Sequence, residues 1–131
     1  MAEKIKLVQG DTKPQIKCVV TDETTGKVVD MSGAEVKLKF REKGLDDVLF
    51  VLTGYLQSGL ENAQGVLTEF APGQAYAQPG KGGRVAFQFN PGNLNIEPGY
   101  YEGEIEITFP PPDGGVQTVY APLKFQIREQ F

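Results

Sequence analysis

The sequence predicts an all-β protein, an antiparallel β-sandwich of about seven to nine strands with no disulfide. Three observations predict it. Several short runs alternate apolar and polar residues with a period of two, the mark of strands with one dry and one wet face. Turn residues separate these runs: the 131 residues include 16 glycines and 9 prolines. The clearest run, Tyr101 to Phe109, puts Tyr101, Ile105, Ile107 and Phe109 on one side and Glu102, Glu104 and Glu106 on the other.

Just before that run, Glu97-x-Gly99-x-Tyr101-x-Gly103 has the spacing of an immunoglobulin F strand, with Gly103 where the second cysteine would stand. The expected sandwich is therefore immunoglobulin-like, and Tyr101 is its expected corner tyrosine, with the hydroxyl bonded to a backbone carbonyl. Ala34 to Arg41 is the expected C strand. Val36, Leu38 and Phe40 form its dry face and Glu35, Lys37, Lys39 and Arg41 its wet one. Leu38 or Phe40 would fill the volume of the core tryptophan, which this chain lacks. Strand C beside strand F would set Lys37, Lys39 and Arg41 against Glu102, Glu104 and Glu106, a salt-laced solvated face or a partner-binding patch.

The remaining elements follow in order. Ile5–Val8 is an edge-like first strand that stops at Gly10-Asp11. After Pro14, Ile16, Cys18 and Val20 point inward. Asp22 to Gly26 is a hairpin-like loop, and Val28-Val29 a short strand. Asp47 to Leu52 reads as a buried strand bounded by Gly54, and Val66 to Phe70 as another. Residues 71–83 are long for a hairpin loop, with room for one helical turn around Gln74-Ala75-Tyr76, and are the expected contact surface. In Arg84 to Phe89, Val85, Phe87 and Phe89 point inward. Pro110-Pro111-Pro112-Asp113-Gly114-Gly115 is a stiff hairpin tip. The last strand runs from about Gln117 to Arg128, with Pro122 at an edge or a bulge. The chain reads as a single domain over residues 1–131 with a long irregular insertion around 43–83.

Composition narrows the function. The net charge of −4 argues against nucleic acid as the main partner, since neutralising phosphates needs a basic face. The chain has one cysteine, Cys18, and no histidine. No internal disulfide can form, and histidine-based triads, thiol–histidine pairs and histidine metal sites are excluded. Gly73 to Lys81 is too widely spaced for a phosphate loop, and Lys81 is followed by glycine rather than a hydroxyl residue. Asp22-Glu23 and Asp46-Asp47 lack the spacing of a calcium loop. Glu102, Glu104 and Glu106 share one strand face, a poor arrangement for paired carboxylates across a cleft. No catalytic residue, metal ligand or cofactor site is expected. The N-terminal residues lack the apolar run of a signal peptide, and no stretch has the length of a membrane span, so neither secretion nor a membrane is expected. The candidate interaction residues are Tyr76, Gln74, Tyr100, Lys81, Pro111 and Asp113.

Two stretches resemble a phage family, the N-terminal domain of baseplate upper proteins. The first is Ile5 to Ile16, with Gly10-Asp11-Thr12-x-Pro14, continuing in Val29 to Arg41, with Asp30-x-Ser32-Gly33-Ala34-x-Val36. The second is Gly83 to Phe109, through Gly99-Tyr100-Tyr101-Glu102-Gly103-Glu104 and on to Asp113-Gly114. Residues 42–82 do not follow the family's shorter pattern. The resemblance implies a non-enzymatic structural protein of a tailed-phage virion (tail, baseplate or neck), made in the host cytoplasm and assembled with other virion proteins in a symmetric homo- or hetero-oligomer. Its expected edges are Ile5–Val8 and Val119–Ile127. The alternative is a ligand-binding module for a host-surface polysaccharide or protein, which asks for exposed aromatics clustered at one loop end.

Overall fold

The computed structural model describes residues 5–22, 24–61, 64, 66–67, 76–112, 114–119 and 122–130. Among them are nine strands and no helix: β1 (Ile5–Val8), β2 (Gln15–Val19), β3 (Glu35–Glu42), β4 (Val48–Thr53), β5 (Tyr55–Gln57), β6 (Arg84–Gln88), β7 (Gly99–Thr108), β8 (Val116–Thr118) and β9 (Leu123–Arg128). They form a two-sheet sandwich. The larger sheet has the order β1-β9-β7-β3-β4, with β8 also on β7; the smaller has the order β2-β6-β5. β1 runs parallel to β9, and the other pairings are antiparallel.

The period-two pattern decides which residues make the core. Val36, Leu38 and Phe40 of β3 and Tyr101, Ile105 and Ile107 of β7 are buried, as their alternation predicts. Phe40 is the centre. Its ring lies 4.6 Å from Phe50, 4.9 Å from Phe125, 5.4 Å from Tyr101 and 6.1 Å from Phe89. Phe40 and Leu38 are both fully buried. Gly103, opposite Phe40 on β7, has no room for a side chain: a Cβ there would lie 2.7 Å from Leu38 Cδ1 and 2.9 Å from Phe125 Cε2. The corner contact is also present, with the Tyr101 hydroxyl donating to the Glu97 carbonyl.

β4 and β5 are one extended run that leaves the larger sheet and joins the smaller. Gly54 is the crossing point. A Cβ at Gly54 would lie 2.7 Å from Val85 Cγ2 and 2.9 Å from Phe87 Cε1, so only glycine lets the backbone pass this close to β6.

Several expectations are corrected. Asp47 to Leu52 is not a buried strand. β4 is an edge strand in which only Leu52 is fully buried, while Val48, Leu49 and Val51 are about half exposed. A continuous apolar run fits either environment, so periodicity could not separate them. The last strand is broken into β8 and β9 with Pro122 in the break, where its missing N–H costs no ladder bond. Val119–Ile127 is not an edge, because β9 lies between β1 and β7. Ile5–Val8 is an edge, as expected. Val28-Val29 makes no strand, only an isolated bridge from Val28 to Thr21. Of Val66 to Phe70, Leu67 makes an isolated bridge to Glu61, and residues 68–70 lie outside the described residues. The helical turn expected at Gln74-Ala75-Tyr76 also falls there, apart from Tyr76.

Candidate functional site

The outer face of the larger sheet carries the expected charge ladder. Lys37 stands opposite Glu106, Lys39 opposite Glu104 and Arg41 opposite Glu102. The side chains choose a slightly different pattern. Lys39 Nζ reaches diagonally to Glu106 Oε2 at 2.9 Å, Arg41 Nη2 meets Glu102 Oε1 at 3.3 Å, and Lys37 Nζ bonds Glu35 Oε1 at 3.0 Å on its own strand. The bond from Glu106 raises the Lys39 pKa, and its charge and that of Glu104 add to the effect. Alternation had brought the right strands together. The diagonal choice depends on side-chain reach, which spacing does not encode.

The six candidate residues do not form one site. Gln74 and Asp113 lie outside the described residues. Tyr76, Lys81 and Pro111 gather at the end of the sandwich where β7 finishes. Backbone contacts trace this end: Gly59 N–H donates to the Tyr76 carbonyl at 2.8 Å, and Met31 N–H to the Gly80 carbonyl at 2.9 Å. A Cβ on Gly33 would lie 3.5 Å from Pro110 Cγ. Tyr100 sits at the opposite end, at the start of β7, where its carbonyl accepts from Lys43 N–H at 3.0 Å. The eight steps of extended chain from Tyr100 to Thr108 span about 27 Å. Tyr76 and Tyr100 therefore belong to different surfaces.

Arg84 was missed as a functional position. It is the one buried charged residue among the described residues, 8% exposed at the start of β6. Its Nε donates to Glu61 Oε1 at 3.0 Å and its Nη1 to the Ser58 carbonyl. Ser58 Oγ in turn donates to the Ala77 carbonyl at 2.8 Å. Ser58 and Glu61 are thus tied to β6 by a buried guanidinium, and Ser58 in turn holds Ala77. A charged residue on a strand shows no buried partner in sequence, and Glu61 lies 23 residues away.

A cleft of about 480 Å³ opens between β2 and the β8–β9 break. Cys18, Val20, Ile105, Val119 and Leu123 supply its apolar lining. Cys18 is half-buried rather than fully inside, and burial pushes its thiol up to about 11. It is protonated at neutral pH and poorly suited to nucleophilic work. At the tip of the 30–33 turn, Ser32 Oγ donates to Asp30 Oδ1 at 2.6 Å, which lowers the Asp30 pKa; Lys81 contributes weakly in the same direction. Among the described residues no group of three or more Cys, Asp or Glu is placed to hold a metal ion, and no helix is long and apolar enough to cross a membrane.

No family model and no curated protein sequence matches the chain. Among solved structures it is similar to AggA, the major subunit of aggregative adherence fimbriae type I from Escherichia coli. The identity is 12% and the TM-score 0.39, over 95% of this chain and 91% of that one. A likeness this distant carries no functional argument.

Proposed function

We propose that this chain is a non-enzymatic structural protein of a tailed-phage virion, a tail, baseplate or neck component that assembles with neighbouring subunits through its edge strands and loops. The observation that carries the reading is β4. Val48 is 50% exposed, Leu49 47% and Val51 45%, on an edge strand with no charge and no proline. An edge of this kind is a pairing template, and proteins that stay alone in solution blunt it with lysine, proline or a covering loop. Its retention fits a protein whose working state is an assembly. The resemblance of Ile5–Ile16, Val29–Arg41 and Gly83–Phe109 to the baseplate family supplies the virion context. The separation of Tyr76 from Tyr100 disfavours the alternative, a host-surface ligand module built on clustered aromatics.

Mass spectrometry of gradient-purified phage particles from the source tests the reading. The chain is expected at a fixed ratio to a tail or capsid protein. Its absence from clean particles would remove the virion role.

A further inference from the structure

We infer that the partner of β4 is β4 of a second copy, paired antiparallel about a two-fold axis at Val51. The inference rests on the assembly reading above and names the first contact in it.

Backbone geometry fixes the centre. Gly54 N–H donates to the Val36 carbonyl at 2.7 Å, and the ladder continues through Leu52 opposite Leu38 and Phe50 opposite Phe40. In an antiparallel ladder, alternate residues direct both N–H and C=O to the same neighbour. Leu52 and Phe50 therefore bond β3, while Val51 and Thr53 direct theirs to the outer side. Among the described residues no strand pairs with that side. A two-fold axis at Val51 lets the two Val51 residues exchange both bonds.

The side chains agree with the same register. Pairing Val51 with Val51 puts Phe50 against Leu52 of the second copy, both on the core side. The half-buried Phe50 ring gains cover, and the inner row reads Phe40, Phe50, Leu52, Leu38 across the joint. On the outer side the row reads Glu104, Lys39, Val51, Val51, Lys39, Glu104, with each lysine already held by carboxylates of its own copy. A shift by one residue would set core-facing side chains against solvent-facing ones. A shift by two, pairing Val51 with Leu49, runs into the irregularity where β3 and β4 slip between Phe40 and Arg41.

Charge does not oppose the pairing. Residues 48–53 carry none. The nearest acids, Asp46 and Asp47, fall beyond the paired segment. The two Asp47 residues stand about 25 Å apart, well past the screening length of about 8 Å at physiological salt. Two like strands meet as an isologous contact that closes on itself, so it gives a dimer rather than a fibre.

The test is sedimentation equilibrium of the full chain over a wide concentration range, with cysteine cross-linking. A species of twice the 14.3 kDa chain mass is expected. Val51→Lys, which brings two ammonium groups face to face, is expected to raise the dimer dissociation constant by about tenfold or more. Val51→Pro removes an outward N–H rather than one that bonds β3, and is expected to do the same. Circular dichroism confirms that each variant is folded. In a Cys18→Ala background, Val51→Cys is expected to form an intermolecular disulfide. A hydrogen-bonded antiparallel pair has its Cα atoms about 5.5 Å apart, within disulfide range. Thr53→Cys, set about 13 Å from its counterpart in this register, is expected not to cross-link. A chain that stays monomeric, a mass ladder beyond two, or equal cross-linking at 51 and 53 would overturn the pairing. A monomer that still enters particles overturns the pairing and leaves the virion reading standing. A dimer missing from particles supports the pairing and removes the virion role.

Discussion

β7 and β4 flank the same strand, β3, and they are built on opposite rules. β7 has ten residues, neighbours on both sides, a dry face in the core and glutamates on the wet face. β4 has six residues, one neighbour among the described residues, and no charge on either face. Most inward and several outward β7 side chains find complements inside the chain: Tyr101, Ile105 and Ile107 in the core, Glu102 and Glu106 on Arg41 and Lys39. β4 finds complements on its inner face only, where Phe50 stacks on Phe40. The difference teaches that folding completes one side of β3 and leaves on the other an uncharged edge strand with exposed valine and leucine side chains.

Phe40 touches both sides, and its loss is the largest effect expected. Phe40→Ala empties the space between Phe50, Tyr101, Phe125 and Phe89. A truncation of this kind costs about 3–5 kcal/mol, a large share of the stability of a small domain. Urea unfolding measures it. Hydrogen exchange in the same variant sharpens the comparison. At concentrations low enough to keep the chain monomeric, β4, with one neighbour, is expected to lose protection before β7, which has two. Equal loss in the two strands would break the asymmetry.

Adding bulk is the next test. Gly103→Ala on β7 drives a methyl into Leu38 and Phe125, and overpacking of this kind costs about 1–3 kcal/mol. Thr53→Val on β4 adds no volume to the core and points outward, so it is expected to stay within about 0.5 kcal/mol. Thermal melts of the two variants measure the contrast. Equal melting points would show that β4 is packed as tightly as β7.

The same contrast explains what could be read from the residues alone. β3 and β7 alternate, and alternation carries the direction of every side chain. The pairing of the strand bearing Lys37, Lys39 and Arg41 with the one bearing the three glutamates, and the corner contact of Tyr101, are both legible. β4 does not alternate, so a continuous apolar run leaves its exposed face illegible. Pro122 marks an irregularity in the last strand, but neither the full break there nor the placing of β9 between β1 and β7 is legible in the residues. Parallel pairing between the two ends of the chain is a long-range choice that no local pattern encodes. Of the candidate residues, spacing could place Tyr100 on a strand. It could not reveal that Tyr76 sits at the other end, because that depends on backbone bonds from Gly59 to Tyr76 and from Gly80 to Gln57. The Arg84–Glu61 tie was invisible for the same reason.

The smallest expected effect is also the most selective, because it isolates the charge ladder from the apolar edge. Glu106→Gln removes the carboxylate that holds Lys39 at 2.9 Å but keeps the shape of the side chain. In the native chain Glu106 raises the Lys39 pKa above its ordinary 10.5. A lysine shifted upward on folding contributes stability that is complete below the unfolded pKa. That contribution is lost as pH rises through the folded one. The native chain is therefore expected to lose stability above pH 10.5 more steeply than Glu106→Gln. The cysteine adds a shared alkaline slope in both proteins, since its pKa is likewise raised, from 9.0 to about 11, and it cancels in the difference. Salt gives a second axis. The difference between the two proteins is expected to fade at about 1 M salt, where the screening length falls to about 3 Å. Dimerisation through β4, which joins uncharged strands, is expected to hold or strengthen under the same conditions. If salt dissolved the dimer and left the ladder untouched, the assignment of charge to folding and apolar surface to association would be reversed.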